Sequence, residues 1–161
     1  MRIWRISNFD DLSGVGGLNA DGRWHDRGRH VVYAADHPAS ALLEVMVHLE
    51  IDFEDLPTTY QLLGIDMPDG LAIETVSVSD IERISQDWAS DPRVTRDLLR
   101  PWFDEARTAM VSVPSVIVPF AQNYIINPRH KDAARIRVSH VARYPHDPRL
   151  FGRGASVPER P

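Results

Sequence analysis

Glu44 stands inside an apolar run, Ala39-Ser40-Ala41-Leu42-Leu43-Glu44-Val45-Met46-Val47-His48-Leu49. A carboxylate in such a run either faces water on a helix stripe shared with Ser40, Ala41 and His48, or is buried, paired and held for chemistry. Gly22-Arg23-Trp24 is the second anchor. A guanidinium is a planar fork suited to a pyrophosphate, an indole is a flat stacking face, and a glycine beside them lets a ligand approach the backbone. The same triplet is equally a surface arginine beside a core tryptophan. Tyr33 is either a core aromatic with a polar tip or a stacking ring. Ser115 either begins a strand or places a hydroxyl at a strand mouth. Asn123 and Asn127 bracket Tyr124-Ile125-Ile126, as turn residues or as polar contacts to a ligand.

A metal reading starts from Glu44 and His48, which share a helix face at a spacing of four. His25, His30, His37 and His130 are further candidate ligands. The chain has no His-Glu-x-x-His and no other dense ligand spacing, so no metal site is expected.

The elements that must position these residues alternate irregularly. Residues 2–6 read as a first strand and Ser13-Gly14-Val15-Gly16-Gly17 as a flexible loop. That loop lacks the strand-before, helix-after setting of a dinucleotide fingerprint and the Lys-Ser/Thr of a P-loop. Residues 30–35, with Val31, Val32 and Tyr33, read as a strand. Pro38 suits a first helical turn capped near Asp36 or His37. The helix should reach about Glu50, with Leu42, Val45, Met46 and Leu49 toward the core. Residues 58–65 and 71–78 read as strands joined by the turn Pro68-Asp69-Gly70. Ser79 and Asp80 should open a short helix, and residues 95–107 a longer one interrupted by Pro101. Ser115 to Val118, between Pro114 and Pro119, and residues 136–144 read as strands. Without regular βαβ spacing, the expectation is one mixed α+β domain over 1–150, with a loose tail over 151–161.

Composition narrows the function. The chain has 161 residues, 43% of them apolar, enough for one core and hardly two. There is no cysteine, hence no disulfide framework and no thiolate chemistry. The net charge of −5 speaks against a surface that grips nucleic acid. Arg5, Arg23, Arg27 and Arg29 nevertheless leave room for a local anion site. Neither a signal-peptide core nor a membrane-spanning run is seen, and a cytoplasmic location is expected.

Taken together and in order, these segments resemble the RES-domain family, named for Arg, Glu and Ser. Trp4-Arg5-Ile6 is similar to its first strand. Gly22-Arg23-Trp24, Val31-Val32-Tyr33 and Leu43-Glu44-Val45-Met46-Val47-His48-Leu49 follow its central pattern. Val113-Pro114-Ser115-Val116-Ile117-Val118-Pro119 and Asn123-Tyr124-Ile125-Ile126-Asn127-Pro128-Arg129-His130 resemble its C-terminal half, with Thr95 and Trp102 before them. The resemblance covers about residues 2 to 137. His25 departs from it where the family often has Asn, and Phe120-Ala121-Gln122 where an acidic residue often precedes the asparagine.

The resemblance implies a fold similar to ADP-ribosyltransferases of the diphtheria-toxin kind. It also implies a toxin that degrades NAD⁺ as substrate, by hydrolysis or phosphorolysis, with no cofactor. Transfer of ADP-ribose to a protein is the alternative, and a non-catalytic binding module is a further one. The implied partner is an Xre-type helix-turn-helix antitoxin, forming a hetero-oligomer in which this chain makes no nucleic-acid contact. The implied roles are Glu44, Arg23 and Tyr33 in catalysis, and Arg5, Arg23, Tyr33, Ser115 and Asn123 in NAD⁺ binding. Trp24 reads as core.

Overall fold

The computed structural model describes residues 1–48 and 59–151. These form a single mixed α+β domain around a sheet that runs, among the described residues, β4-β5-β6-β2-β1-β3-β7. The strands are β1 (Arg2–Ile6), β2 (Val32–Ala35), β3 (Thr59–Asp66), β4 (Ile73–Thr75), β5 (Met110–Pro114), β6 (Gln122–Ile126) and β7 (Arg137–Pro145). All neighbours pair antiparallel except β4 with β5.

Alternation along the strands divides the core in two. Val111, Val113 and Ile125 point to the side of α3 (Pro92–Asp104) and pack with Trp24, Leu99, Trp102 and Phe103. Their neighbours Met110 and Ile126 point the other way, onto Ile3, Val32, Ile65 and Ile136. Two-sided burial fits β5, Met110-Val111-Ser112-Val113-Pro114, which is buried at every position.

α1 (Pro38–Met46) starts where Pro38 and the cap suggest. His37 is the N-cap, its Nδ1 accepting the Ala39 N–H, and Pro38 follows at the first position. The buried residues of α1 are Ser40 and Ala41, with Leu42, Val45 and Met46 only half-buried. The expected apolar stripe is therefore rotated, because the helix turns its small residues to the sheet. Leu49, Glu50 and Thr58 lie outside the described residues, as does the expected tail beyond Phe151.

Other expectations need correction. Only Ile73–Thr75 pairs within 71–78, because Ser77 leaves the sheet to cap α2 (Val78–Glu82) in a reciprocal capping box with Asp80. α3 begins earlier than Thr95, at Pro92 behind the cap Asp91, and continues through Pro101. The carbonyl that Pro101 leaves without a helical partner belongs to Asp97, which is exposed to water. Residues 115–118 are not a strand; β5 ends at Pro114. The Ser115 Oγ accepts the N–H groups of Ile117 (3.2 Å) and Val118 (3.1 Å) and folds them into a tight turn. Asn123 lies within β6, whereas Asn127 is a turn residue whose Oδ1 accepts the Arg129 N–H. No helix among the described residues is long and apolar enough to cross a membrane.

Candidate active site

A cleft of about 560 Å³ opens between β1, β2, α1, the segment 22–24 and the turn after β5. Ala41, Glu44 and Val45, one face of α1 at spacings of three and four, turn toward it, with His48 just beyond the helix end. Glu44 is thus in the cleft and not on a solvated stripe, while Ser40 and Ala41 beside it are buried.

Two donors hold Glu44. The Ser115 hydroxyl donates to Oε1 at 2.9 Å, and the Asn123 Nδ2 donates to the same oxygen at 2.6 Å. These partners are 71 and 79 residues away in sequence. Oε2 receives no hydrogen bond among the described residues. The carboxylate is therefore oriented by one oxygen and open at the other. Ser115 has spent its hydroxyl on Glu44 and its lone pairs on the turn, so it orients the carboxylate and has no proton left for a ligand. The Asn123 Oδ1 is buried without a partner on the cleft wall.

Arg23 is anchored differently. Its Nη1 donates to the Trp88 carbonyl at 3.2 Å and its Nη2 to the Ala89 carbonyl at 3.0 Å. Its backbone is pinned by α3: the Thr95 Oγ1 donates to the Arg23 carbonyl at 2.5 Å, and the Arg96 Nε to the Gly22 carbonyl at 2.8 Å. Burial pulls the Arg23 pKa down, the Glu44 charge pulls it back up, and Arg96 opposes it. The guanidinium stays charged throughout. Gly22 is required by close approach, since a Cβ there would lie 2.5 Å from the His25 ring and 2.6 Å from the Tyr33 hydroxyl.

Tyr33 lines the cleft with its hydroxyl turned inward, 3.2 Å from the Trp24 N–H and 2.7 Å from the His25 Nδ1. Burial raises its pKa, so it is a neutral phenol and no base. Trp24 is 2% exposed and belongs to the core. Arg5 lines the cleft apart from this group. Burial lowers its pKa, Asp11 is the charge that bears on it, and among the described residues no hydrogen bond reaches its guanidinium. His48 uses Nδ1 on the Glu44 backbone carbonyl at 2.6 Å, not on its carboxylate. Among the described residues no three His, Asp or Glu converge as metal ligands.

The structure thus brings Arg23, Tyr33, Glu44 and Asn123 to one cleft with Arg5 on its wall, while Ser115 stands behind it, bonded to Glu44. Sequence reasoning missed His25, Thr95 and Arg96 as supports, because their partners are backbone carbonyls or a hydroxyl fixed only by the fold. A profile of the RES domain matches residues 2–147, nearly the whole chain. The chain belongs to the RES domain family. Among its relatives is a protein named Toxin Res from Pseudomonas putida, 46% identical over 94% of this chain and all of the relative. A protein named Prs ADP-ribosylating toxin from Sphingobium is 37% identical, covering 92% of this chain and 96% of its own. The fold matches a chain of the Mycobacterium tuberculosis MbcT–MbcA toxin–antitoxin complex with a TM-score of 0.71. That match spans 94% of this chain and 86% of the other, at 18% identity.

Proposed function

We propose that this RES protein is the toxin of a toxin–antitoxin pair and cleaves the nicotinamide–ribose bond of NAD⁺ in the cytoplasm. What supports this most is the state of Glu44, a carboxylate fixed through Oε1 with Oε2 open to a cleft that also carries two arginines. Nicotinamide departs as a neutral molecule, taking the electron pair of the C1′–N bond, so its departure needs no general acid. Positive charge builds on the ribose as the bond breaks. A pre-oriented carboxylate stabilises that charge and holds ribose hydroxyls, as carboxylates do in glycosidases. Arg5 and Arg23 take the pyrophosphate by charge-assisted bonds. Arg5 suits this because a desolvated guanidinium that only the Asp11 charge offsets favours an anionic ligand. Tyr33 stacks on the ligand, and the Asn123 Oδ1 accepts from a ribose hydroxyl or the carboxamide.

The attacking atom comes from water, phosphate or a protein side chain; water or a protonated side chain releases its proton to solvent on bonding to C1′, whereas an anionic phosphate oxygen has none to lose. The Sphingobium relative's name favours a protein acceptor as the second reading. Purified protein incubated with NAD⁺ in water, with phosphate, and with lysate protein separates the three by product: ADP-ribose, its phosphorylated form, or labelled protein. Release of nicotinamide under none of these conditions would overturn the proposal.

An unchecked NAD⁺-consuming enzyme would kill its host, and the fold match is to a toxin held with an antitoxin. The partner proposed here is an Xre-type helix-turn-helix antitoxin that covers the cleft and sets a C-terminal carboxylate near Arg5 and Arg23. Removing that C-terminus should restore nicotinamide release in the assembled complex. A truncated complex that stays silent would rule out direct plugging.

A further inference from the structure

We propose that His25 is a positioning residue for Tyr33: its neutral ring accepts the Tyr33 hydroxyl proton at Nδ1 and thereby fixes the ring that Tyr33 turns to the substrate. This rests on the reading of the cleft as an NAD⁺ site.

The direction of the hydrogen bond follows from counting donors. The Trp24 N–H can only donate, so it uses a lone pair of the phenol. The Tyr33 proton then needs an acceptor, and His25 Nδ1 at 2.7 Å is the one in reach among the described residues. His25 must therefore carry its proton on Nε2, which is buried without a hydrogen-bond partner among the described residues, although the Ala20 backbone favours protonation of the ring. The ring has little room to turn away. A Cβ on Gly17 would meet Nε2 at 2.9 Å, and one on Gly22 would meet the ring at 2.5 Å. His25 is 5% exposed and packs tilted on Tyr33, with ring centres 5.5 Å apart. Two glycines thus make space for a histidine whose acceptor nitrogen holds the cleft tyrosine.

A consequence is acid sensitivity. Once protonated, His25 has two donors and no acceptor, so the Tyr33 proton loses its acceptor and the phenol must re-orient to accept from Nδ1 as well as from the Trp24 N–H. The charged groups around the ring are Asp21 and Asp26, which favour the proton, and Arg96, which opposes it; Arg23 and Arg96 flank Tyr33. Burial is the largest influence and lowers the His25 pKa. The neutral, holding form therefore persists at pH 7, and the loss falls below the ordinary histidine value of about 6.5.

The test compares the wild type with His25→Ala and His25→Asn. The Asn Oδ1 occupies the place of Nδ1 and accepts without titrating. His25→Ala should raise the KM for NAD⁺ about tenfold, the size of one lost buried hydrogen bond, with a smaller effect on kcat. His25→Asn should rescue most of that loss at pH 7.5 and remove the part of the acid decline below pH 6.5 that His25 causes. Nitrogen-15 shifts of the imidazole, assigned by their absence in His25→Asn, should show an acceptor-type Nδ1 and a protonated Nε2. They report on the folded wild type even if Ala at this position does not fold. A protonated Nδ1, no rescue by Asn, or an acid decline that Asn leaves unchanged would each overturn the proposal. If the wild type releases no nicotinamide, the NAD⁺ reading fails, and the nitrogen shifts still decide whether His25 holds Tyr33.

Discussion

The two walls of the cleft are built in opposite ways. Residues 22–25 and Tyr33 rest on the core of Trp24, Trp88, Leu99 and Trp102, and α3 ties their backbone with Thr95 and Arg96. α1, on the other side, is nine residues long and buries only Ser40 and Ala41. The Glu44 side chain is set by two donors from β6 and the turn after β5, which leave one oxygen open. The wall of Arg23 and Tyr33, proposed to recognise the ligand, is thus anchored on the core and on backbone carbonyls, while the Glu44 carboxylate rests on two side-chain donors. Changes on the first wall should cost affinity and stability. Changes on the second should cost rate.

Glu44→Gln breaks this comparison most severely. It keeps the volume and removes the charge, and turnover should fall about 10²-fold or more while NAD⁺ still binds. Steady-state kinetics alongside calorimetric binding would check this, and near-normal turnover would remove Glu44 from the chemistry. Arg23→Lys should show the opposite split. A point-charge ammonium cannot hold two backbone carbonyls and a pyrophosphate together, so KM should rise about tenfold or more with kcat less affected. An unchanged KM would sink the pyrophosphate assignment. Ser115→Ala sharpens the second wall. Losing one charge-assisted bond to Glu44 should lower kcat roughly tenfold, with KM little changed. Thr95→Val touches only the support of the first wall. The part-buried Arg23 carbonyl would lose its donor, and urea unfolding should show a loss of about 1 kcal/mol with kcat nearly intact.

Much of the scaffold was legible from local chemistry. Pro38 after a polar cap marks α1, and apolar and β-branched runs mark β1, β3 and β7. Errors arose where one side chain redirected the backbone. Val116-Ile117-Val118 has strand composition, yet Ser115 captures two of its N–H groups and turns it. Ser77 ends β4 by capping α2, an effect that composition alone leaves ambiguous. The candidate site was legible in residue type but not in its bonding. Glu44 could be assigned to water or to a cleft until Ser115 and Asn123 were brought to it across more than seventy residues. His25 stood out as a candidate metal ligand and as a departure from the family pattern, not as a support, because its partner Tyr33 lies on a different element.

The most direct measurement follows NAD⁺ and free nicotinamide by proton NMR in parallel samples of the wild type and Glu44→Gln, after circular dichroism has shown both folded. The wild type should yield one nicotinamide for each NAD⁺ lost, and the variant should release it at least about a hundredfold more slowly. Intact NAD⁺ in the wild-type sample, or equal release in both, would contradict this.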